Sequence, residues 1–270
     1  MRTLGPVSAG LINTLYGENK TIFEIQDIQR ILGKSHKETT DLLTKLVERK
    51  VITRIKSGKF LIIPQDAGNV ENYIGNWYVA AREVTNSSNY YIAYYSAMQF
   101  RGMLTQPLVK IFVATPQRQI IPREMEGKLE LINTSWRFIW GVKQEWVTNT
   151  EKVRMSDLEK TIADSVYHPQ YCGGITEVAK GIWMVKDKIN YRQLGDYIAK
   201  YNKNVIAKRL GYILEILKIN QPELVGRLRT YVKDRYDLFD PTLPIERTNQ
   251  NNWRLIDNVG QKQIINLIQH

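Results

Sequence analysis

No aspartate lies between Asp66 and Asp157. That gap bears on Glu126-Gly127-Lys128, the Glu-x-Lys half of a metal-dependent nuclease site, because such a site needs an upstream carboxylate to hold magnesium beside the scissile phosphate. The tripeptide therefore reads as a solvated turn. Cysteine occurs once, at Cys172, which excludes an intramolecular disulfide and a cysteine-cluster zinc site. Followed by Gly173 and Gly174, and with no base assignable to it, Cys172 reads as a small buried residue rather than a nucleophile. The histidines His36, His168 and His270 are scattered, and no pair has metal-ligand spacing. Also lacking are a Gly-Ser turn followed by closely spaced aspartates, as a nucleotidyltransferase requires, and a phosphate-binding glycine loop with its lysine. These absences point away from an enzyme, and neither a metal nor a cofactor is expected. No segment approaches the roughly 20 apolar residues that cross a bilayer. Met1 to Gly10 carries Arg2 as its only charge and no long apolar core, so no signal peptide or membrane partner is expected and the protein should be cytoplasmic.

Positive charge, by contrast, is plentiful. Lysine and arginine total 38 against 27 acidic residues, and the resulting +11 with a pI near 9.5 favours a polyanionic partner. The excess is concentrated. Residues 34–59 hold Lys34, Lys37, Lys45, Arg49, Lys50, Arg54, Lys56 and Lys59 against Glu38, Asp41 and Glu48, so eight cations against three anions leave +5 in 26 residues. A chain of 270 residues with 43% hydrophobic and 24% charged content reads as a soluble globular one, with room for one large domain or two ordinary ones. A sizeable second domain is expected.

In the amino-terminal part, Leu11, Ile12 and Leu15 fall at helical spacing within Val7 to Tyr16, before Gly17. Ile25, Ile28, Ile31 and Leu32 mark a second helix that ends at Gly33, a residue free to turn left-handed. Ser35 and Glu38 then form a capping box for a third helix whose buried stripe is Leu42, Leu43, Leu46 and Val47. At 100° per residue Lys37, Thr40, Asp41, Thr44, Lys45 and Glu48 face outward, which makes this the recognition helix of a winged helix-turn-helix. Asp41 and Glu48 would repel phosphate, so base contacts are expected from the first two turns, around Ser35, His36, Lys37 and Thr40. Val51 to Lys56 and Phe60 to Ile63 read as a hairpin turning at Ser57-Gly58, a wing that would lay Arg54, Lys56 and Lys59 along the sugar-phosphate backbone. The same three helices and hairpin would also serve a protein-interaction adaptor without DNA binding. The clustering of cations on the third helix and wing favours DNA.

Residues 65–71 are polar and serve as the expected linker between a domain over 1–64 and one over 72–270. The second domain reads as mixed α/β, with strands at Tyr90 to Tyr94, Val109 to Ala114, Leu129 to Ile132 and Trp136 to Val142, and a short helix capped by Ser96 and running through Arg101. Ser156 and Glu159 repeat the capping-box spacing ahead of Leu158, Ile162 and Val166. Further helices are expected at Thr176 to Val185, Tyr191 to Tyr201, Asn204 to Leu217, Pro222 to Val232 and Gln261 to Ile268. Fold class is thus α+β: an N-terminal winged helix followed by an α/β domain ending in helices. Asp157 and Glu159 suit the first turn of a helix by its dipole, while Asp164 has no explanation from sequence. The tyrosines of residues 90–95, with Trp136, Trp140 and Trp146, read as inter-strand packing rather than a base-stacking platform. Lys200, Lys203, Lys208, Arg209, Arg227 and Arg229, with Lys233 and Arg235, suggest a second basic surface on the last helices.

Along nearly its whole length the chain resembles the AbiEi antitoxins, transcriptional regulators of viral-defence operons. The resemblance lies in Gly58-Lys59-Phe60 with Pro64, Tyr90 to Met98, Val113-Ala114-Thr115-Pro116, Ser156 to Asp164, Tyr171-Cys172-Gly173-Gly174, Arg209 to Glu215, Asp240-Pro241 and Trp253-Arg254. It implies a repressor that binds double-stranded operator DNA, with repeats upstream of its own operon as the expected target, and that counters a nucleotidyltransferase-like toxin.

Overall fold

In the computed structural model, which describes residues 4–64, 75–107, 109–245 and 249–268, the chain starts with α1 (Pro6–Gly17), where Pro6 supplies a pre-set φ at the first helical position and Leu11, Ile12 and Leu15 are buried. Strand β1 (Ile22–Glu24) follows. Helix α2 (Ile25–Leu32) begins with a capping box that sequence reading did not find, made by Glu24 and Asp27, and ends at Gly33 with φ 63° and ψ 25°. Three residues on, α3 (His36–Glu48) is capped by Ser35 and Glu38 as the spacing predicts. Lys50 takes φ 56° to stop it. The Val51 amide reaches back to the Leu46 carbonyl at 2.9 Å and the Lys50 amide to Val47 at 2.9 Å, so orphan carbonyls of the last turn are satisfied.

Strands β2 (Ile52–Lys56) and β3 (Lys59–Ile62) are joined by Ser57 and Gly58, the latter at φ 74°, and the sheet order is β1-β3-β2, all antiparallel. Leu11, Leu15, Phe23, Ile28, Leu43, Leu46, Ile52 and Phe60 form the core between this sheet and the helices, with Phe23 and Phe60 stacked at 5.9 Å. The compact unit does not stop at residue 64. It runs to Ser87 and takes in residues 119–129 and 146–152. Helix α4 (Trp77–Thr85), unseen in the sequence, belongs to it. Asn76 caps α4 by accepting from the amides of Tyr78 and Val79, and Arg82 pairs with Glu151 at 2.7 Å. Glu126-Gly127-Lys128 lies in a turn of this unit, with Gly127 at φ 72°. The linker expected at 65–71 lies outside the described residues.

The second unit comprises residues 88–118, 130–145 and 153–270. Most residues of the five-stranded sheet fall in it: β4 (Tyr91–Ile92), β5 (Ile111–Thr115), β6 (Leu129–Asn133), β7 (Val142–Trp146) and β8 (Lys152–Ser156), ordered β6-β5-β4-β8-β7, with β4 antiparallel to β5 and parallel to β8. Helix α5 (Tyr94–Phe100) sits between β4 and β5 in sequence. The expected strand over Tyr90 to Tyr94 is cut short because Tyr94 takes φ 52° and opens that helix. Ser96 is inside the helix and not its cap; its hydroxyl accepts from the Phe112 amide at 2.8 Å. Trp136 to Val142 is likewise no strand. It forms a 3₁₀ turn over Trp136–Phe138, and Gly141 at φ 63° delays the strand to Val142.

The helices α6 (Leu158–Tyr167), α7 (Ile175–Val185), α8 (Tyr191–Tyr201), α9 (Asn204–Ile216), α10 (Pro222–Arg229) and α11 (Gln261–Ile268) complete the unit with a small sheet of β9 (Asp237–Leu238), β10 (Asn249–Gln250) and β11 (Leu255–Asp257). Helix α6 is buried from Glu159 to Val166, and α9 from Ile206 to Leu214. The cap of α6 is Asp157, which accepts from the Lys160 amide at 2.9 Å. Ser156 belongs to β8 and bonds Thr161 at 2.7 Å, while Glu159 accepts from the Asn190 amide at 2.8 Å, so the Ser156 and Glu159 capping box is not formed. The fold is a mixed α+β one.

Candidate nucleic-acid interface

The exposed face of α3 carries His36, Lys37, Thr40, Asp41, Thr44 and Lys45, all open to solvent, with Ser35 at the cap. The cap uses Ser35 fully: its hydroxyl donates to the Glu38 carboxylate at 2.6 Å, and the Glu38 amide returns a bond. That hydroxyl bond, then the backbone bond from Ser35 and the Lys34 charge, hold the Glu38 carboxyl below its usual range. Thr40 donates to the His36 carbonyl at 2.8 Å and Thr44 to the Thr40 carbonyl at 2.9 Å. With their protons so engaged, both hydroxyls are left as acceptors, a role suited to the amino groups of adenine or cytosine and not to phosphate. Among the described residues Lys37 and Lys45 form no ion pair, whereas Lys34 lies 3.8 Å from Glu38.

Between β2 and β3 the hairpin behaves unevenly. Arg54 is exposed, and among the described residues its guanidinium is held by a single 3.4 Å bond to the Lys56 carbonyl. Lys56 is half-buried, and that burial together with the Lys59 charge pulls its ammonium below the usual range. Lys59, expected at the tip of the wing against phosphate, is instead taken up within the unit. It lies 3.2 Å from Glu24 and 2.5 Å from Glu83, with its side chain 14% exposed. Burial opposes its charge, but the bond and charge of Glu83, and then of Glu24, leave its pKa raised. A cation already neutralised by two carboxylates contributes little to a polyanion, so Lys59 drops out of the candidate interface.

The second basic surface expected on the last helices is largely dismantled by pairing. Lys208 is 1% exposed and bound to Asp237 at 2.7 Å and to the Arg235 carbonyl. Arg209 is 5% exposed and donates to the carbonyls of Val166, Tyr167 and Leu238; burial pulls its pKa down to about 10. Arg227 pairs with Asp196 at 2.8 Å and Arg229 with Glu215 at 2.6 Å. Helical periodicity could not reveal this, because the acidic partners come from other segments. Lys200 and Lys203 keep no such partner among the described residues.

Asp164, unexplained by sequence, ties the second unit together. With Lys160 it forms an i,i+4 ion pair at 1% and 0% exposure. Tyr91 donates to Asp164 at 3.1 Å, Tyr201 donates to it as well, and Lys160 reaches both hydroxyls, at 3.1 and 2.6 Å. Burial, opposed by Asp164, lowers the Lys160 pKa, while burial and then the Asp164 charge raise the two phenols well above theirs. Cys172 is fully buried, and that burial holds its thiol protonated. Tyr90, Tyr91 and Tyr94 are core residues, whereas Trp136 and Trp146 are exposed. Among the described residues no three His, Cys, Asp or Glu side chains gather as metal ligands, and no helix is long and apolar enough to cross a membrane.

No protein-family model matches the chain, and no curated protein does. Among solved structures, that of the RV2827C protein from Mycobacterium tuberculosis is similar over 100% of this chain and 97% of its own, with a TM-score of 0.75 and 13% identity. At that identity the likeness speaks for the fold alone.

Proposed function

We propose that the first unit is a winged helix-turn-helix that reads double-stranded DNA, and that the chain is a sequence-specific repressor and antitoxin working by binding rather than catalysis in the cytoplasm. The observation that carries this reading is the outer face of α3. Among the described residues it keeps Lys37 and Lys45 without ion pairs beside the acceptor hydroxyls of Thr40 and Thr44, while Lys59 and Arg82 of the same unit are paired. Helix α3 would enter the major groove, with Ser35, His36, Lys37, Thr40, Thr44 and Lys45 along it, and Arg54 and Lys56 would follow the adjacent backbone. The antitoxin role, the operator repeats and the nucleotidyltransferase-like toxin follow from the resemblance to AbiEi antitoxins.

A salt series on DNA binding tests the reading. If Lys37, Lys45, Arg54 and Lys56 each neutralise one phosphate, log affinity falls against log salt with a slope near −0.9 per contact, about −3.6 in all, or roughly 150-fold from 50 to 200 mM. The Lys37→Ala variant should reduce the slope by about 0.9. A flat dependence, with salt-insensitive binding to a protein, would make the unit an interaction adaptor instead.

A further inference from the structure

The second unit has an open cleft of about 370 Å³ where the 3₁₀ turn Trp136–Phe138 meets the connection between α8 and α9. Arg137, Phe138, Lys200, Tyr201, Asn202 and Lys203 line it, three cations and no carboxylate. None of the three forms an ion pair among the described residues, although the arginines of neighbouring α10 do. Two of them are braced on rings instead: the Arg137 guanidinium lies 4.7 Å from the centre of Phe138, and Lys200 Nζ lies 4.9 Å from that of Trp140. Phe138 stacks on Tyr201 at 5.0 Å with 28° between planes. Tyr201 is 5% exposed and its hydroxyl is fixed by Lys160 and Asp164, so the floor of the cleft is held from below.

Three like charges in one concavity repel each other and focus a positive potential outward, a cost that a bound anion removes. The volume sits near the lower end of small-ligand pockets, about 300 Å³, which suits a single small phosphorylated ligand. A guanidinium held over a ring can present its other side to a base, and the preceding residue, Trp136, is 56% exposed.

We propose that this cleft binds the phosphate of a nucleotide, free or at the 5′ end of a strand, with Arg137, Lys200 and Lys203 as the phosphate ligands and the Arg137–Phe138 stack against the base. This site is separate from the DNA-reading face proposed for the first unit and does not depend on it. The test is calorimetric titration of the full-length protein with AMP, adenosine, 5′-phosphorylated hexathymidylate and the same oligonucleotide without its phosphate. Saturable binding of AMP, of the phosphorylated oligonucleotide or of both, absent with the unphosphorylated partners, is expected; which of the two binds identifies the source of the phosphate. Arg137→Ala with Lys200→Ala, and separately Lys200→Gln with Lys203→Gln, should each weaken that binding at least about tenfold, given the strength of hydrogen bonds to charged groups. Arg227→Ala, which removes a cation outside the cleft, and Lys37→Ala with Lys45→Ala, which strip α3 instead, should leave it unchanged. The proposal is overturned if neither phosphorylated ligand binds, if adenosine binds as well as AMP, or if both cleft variants keep full affinity.

Discussion

Replacing Asp164 by asparagine preserves shape and removes one charge from an ion pair that is fully enclosed in the second unit. Lys160 is 0% exposed, and its ammonium spends its donors on Asp164, Tyr91 and Tyr201 while facing the Trp140 ring at 4.7 Å. Without the carboxylate it would be left charged with two neutral hydroxyls and an indole, a loss that costs about 3–5 kcal/mol for a buried pair. Deprotonation of Lys160 limits the damage, since burial already draws its pKa down. For a chain of this size each kcal/mol moves Tm by roughly 2–4 °C, so Asp164→Asn should lower it by on the order of 10 °C. Scanning calorimetry at pH 7 measures this. Lys160→Met with Asp164→Leu, which removes both charges and keeps bulk, should recover most of the loss. A shift under about 3 °C for Asp164→Asn would show that the pair contributes less than roughly 1 kcal/mol and does not hold the unit together.

Four other variants have expected outcomes. His168 packs on Tyr167 at 4.1 Å, and burial lowers its pKa despite the opposing pull of Asp164. The unfolded chain therefore takes up the proton first, so stability should fall as pH drops below about 6.5, and His168→Phe should flatten that slope in chemical denaturation between pH 7 and 5. Lys59→Ala should lower Tm without reducing DNA affinity, because it strips Glu83 of a partner; losing a bond to a charged group costs about 1–3 kcal/mol, and the remaining Arg82 contact keeps the effect toward the lower end. Lys37→Ala should do the reverse. Gly211→Ala would push a β-carbon into the indole of Trp253, which is fully buried, and should destabilise by about 1–3 kcal/mol with a change in tryptophan emission.

What the sequence revealed depended on whether the signal was local. Ser35, Glu38 and Gly33 announce the boundaries of α2 and α3 because a cap is decided within four residues, and α8 was legible from Tyr191 to Tyr201 because one face of it is apolar. Helix α6 is buried from Glu159 to Val166, and Asp164 had no explanation from sequence because it makes sense only beside Tyr91 and Tyr201, 73 and 37 positions away. The basic residues of α9 and α10 misled for the same reason, since Asp237, Asp196 and Glu215 come to them through the fold. Lys59 was placed on the wing by its turn, yet Glu83 comes from a helix that periodicity did not reveal. Strand β8 is five residues long and alternates only partly in burial, too little for a period of two to stand out.

Whether α3 reads DNA is decided by a mobility-shift titration of the purified protein on the DNA upstream of its own coding sequence, against unrelated DNA. The native protein should bind the upstream DNA preferentially, and a variant combining Lys37→Ala, Thr40→Ala and Lys45→Ala should lose that binding while its Tm is unchanged. Equal and weak binding to both DNAs, or a variant that binds as the native protein does, would contradict that role for α3.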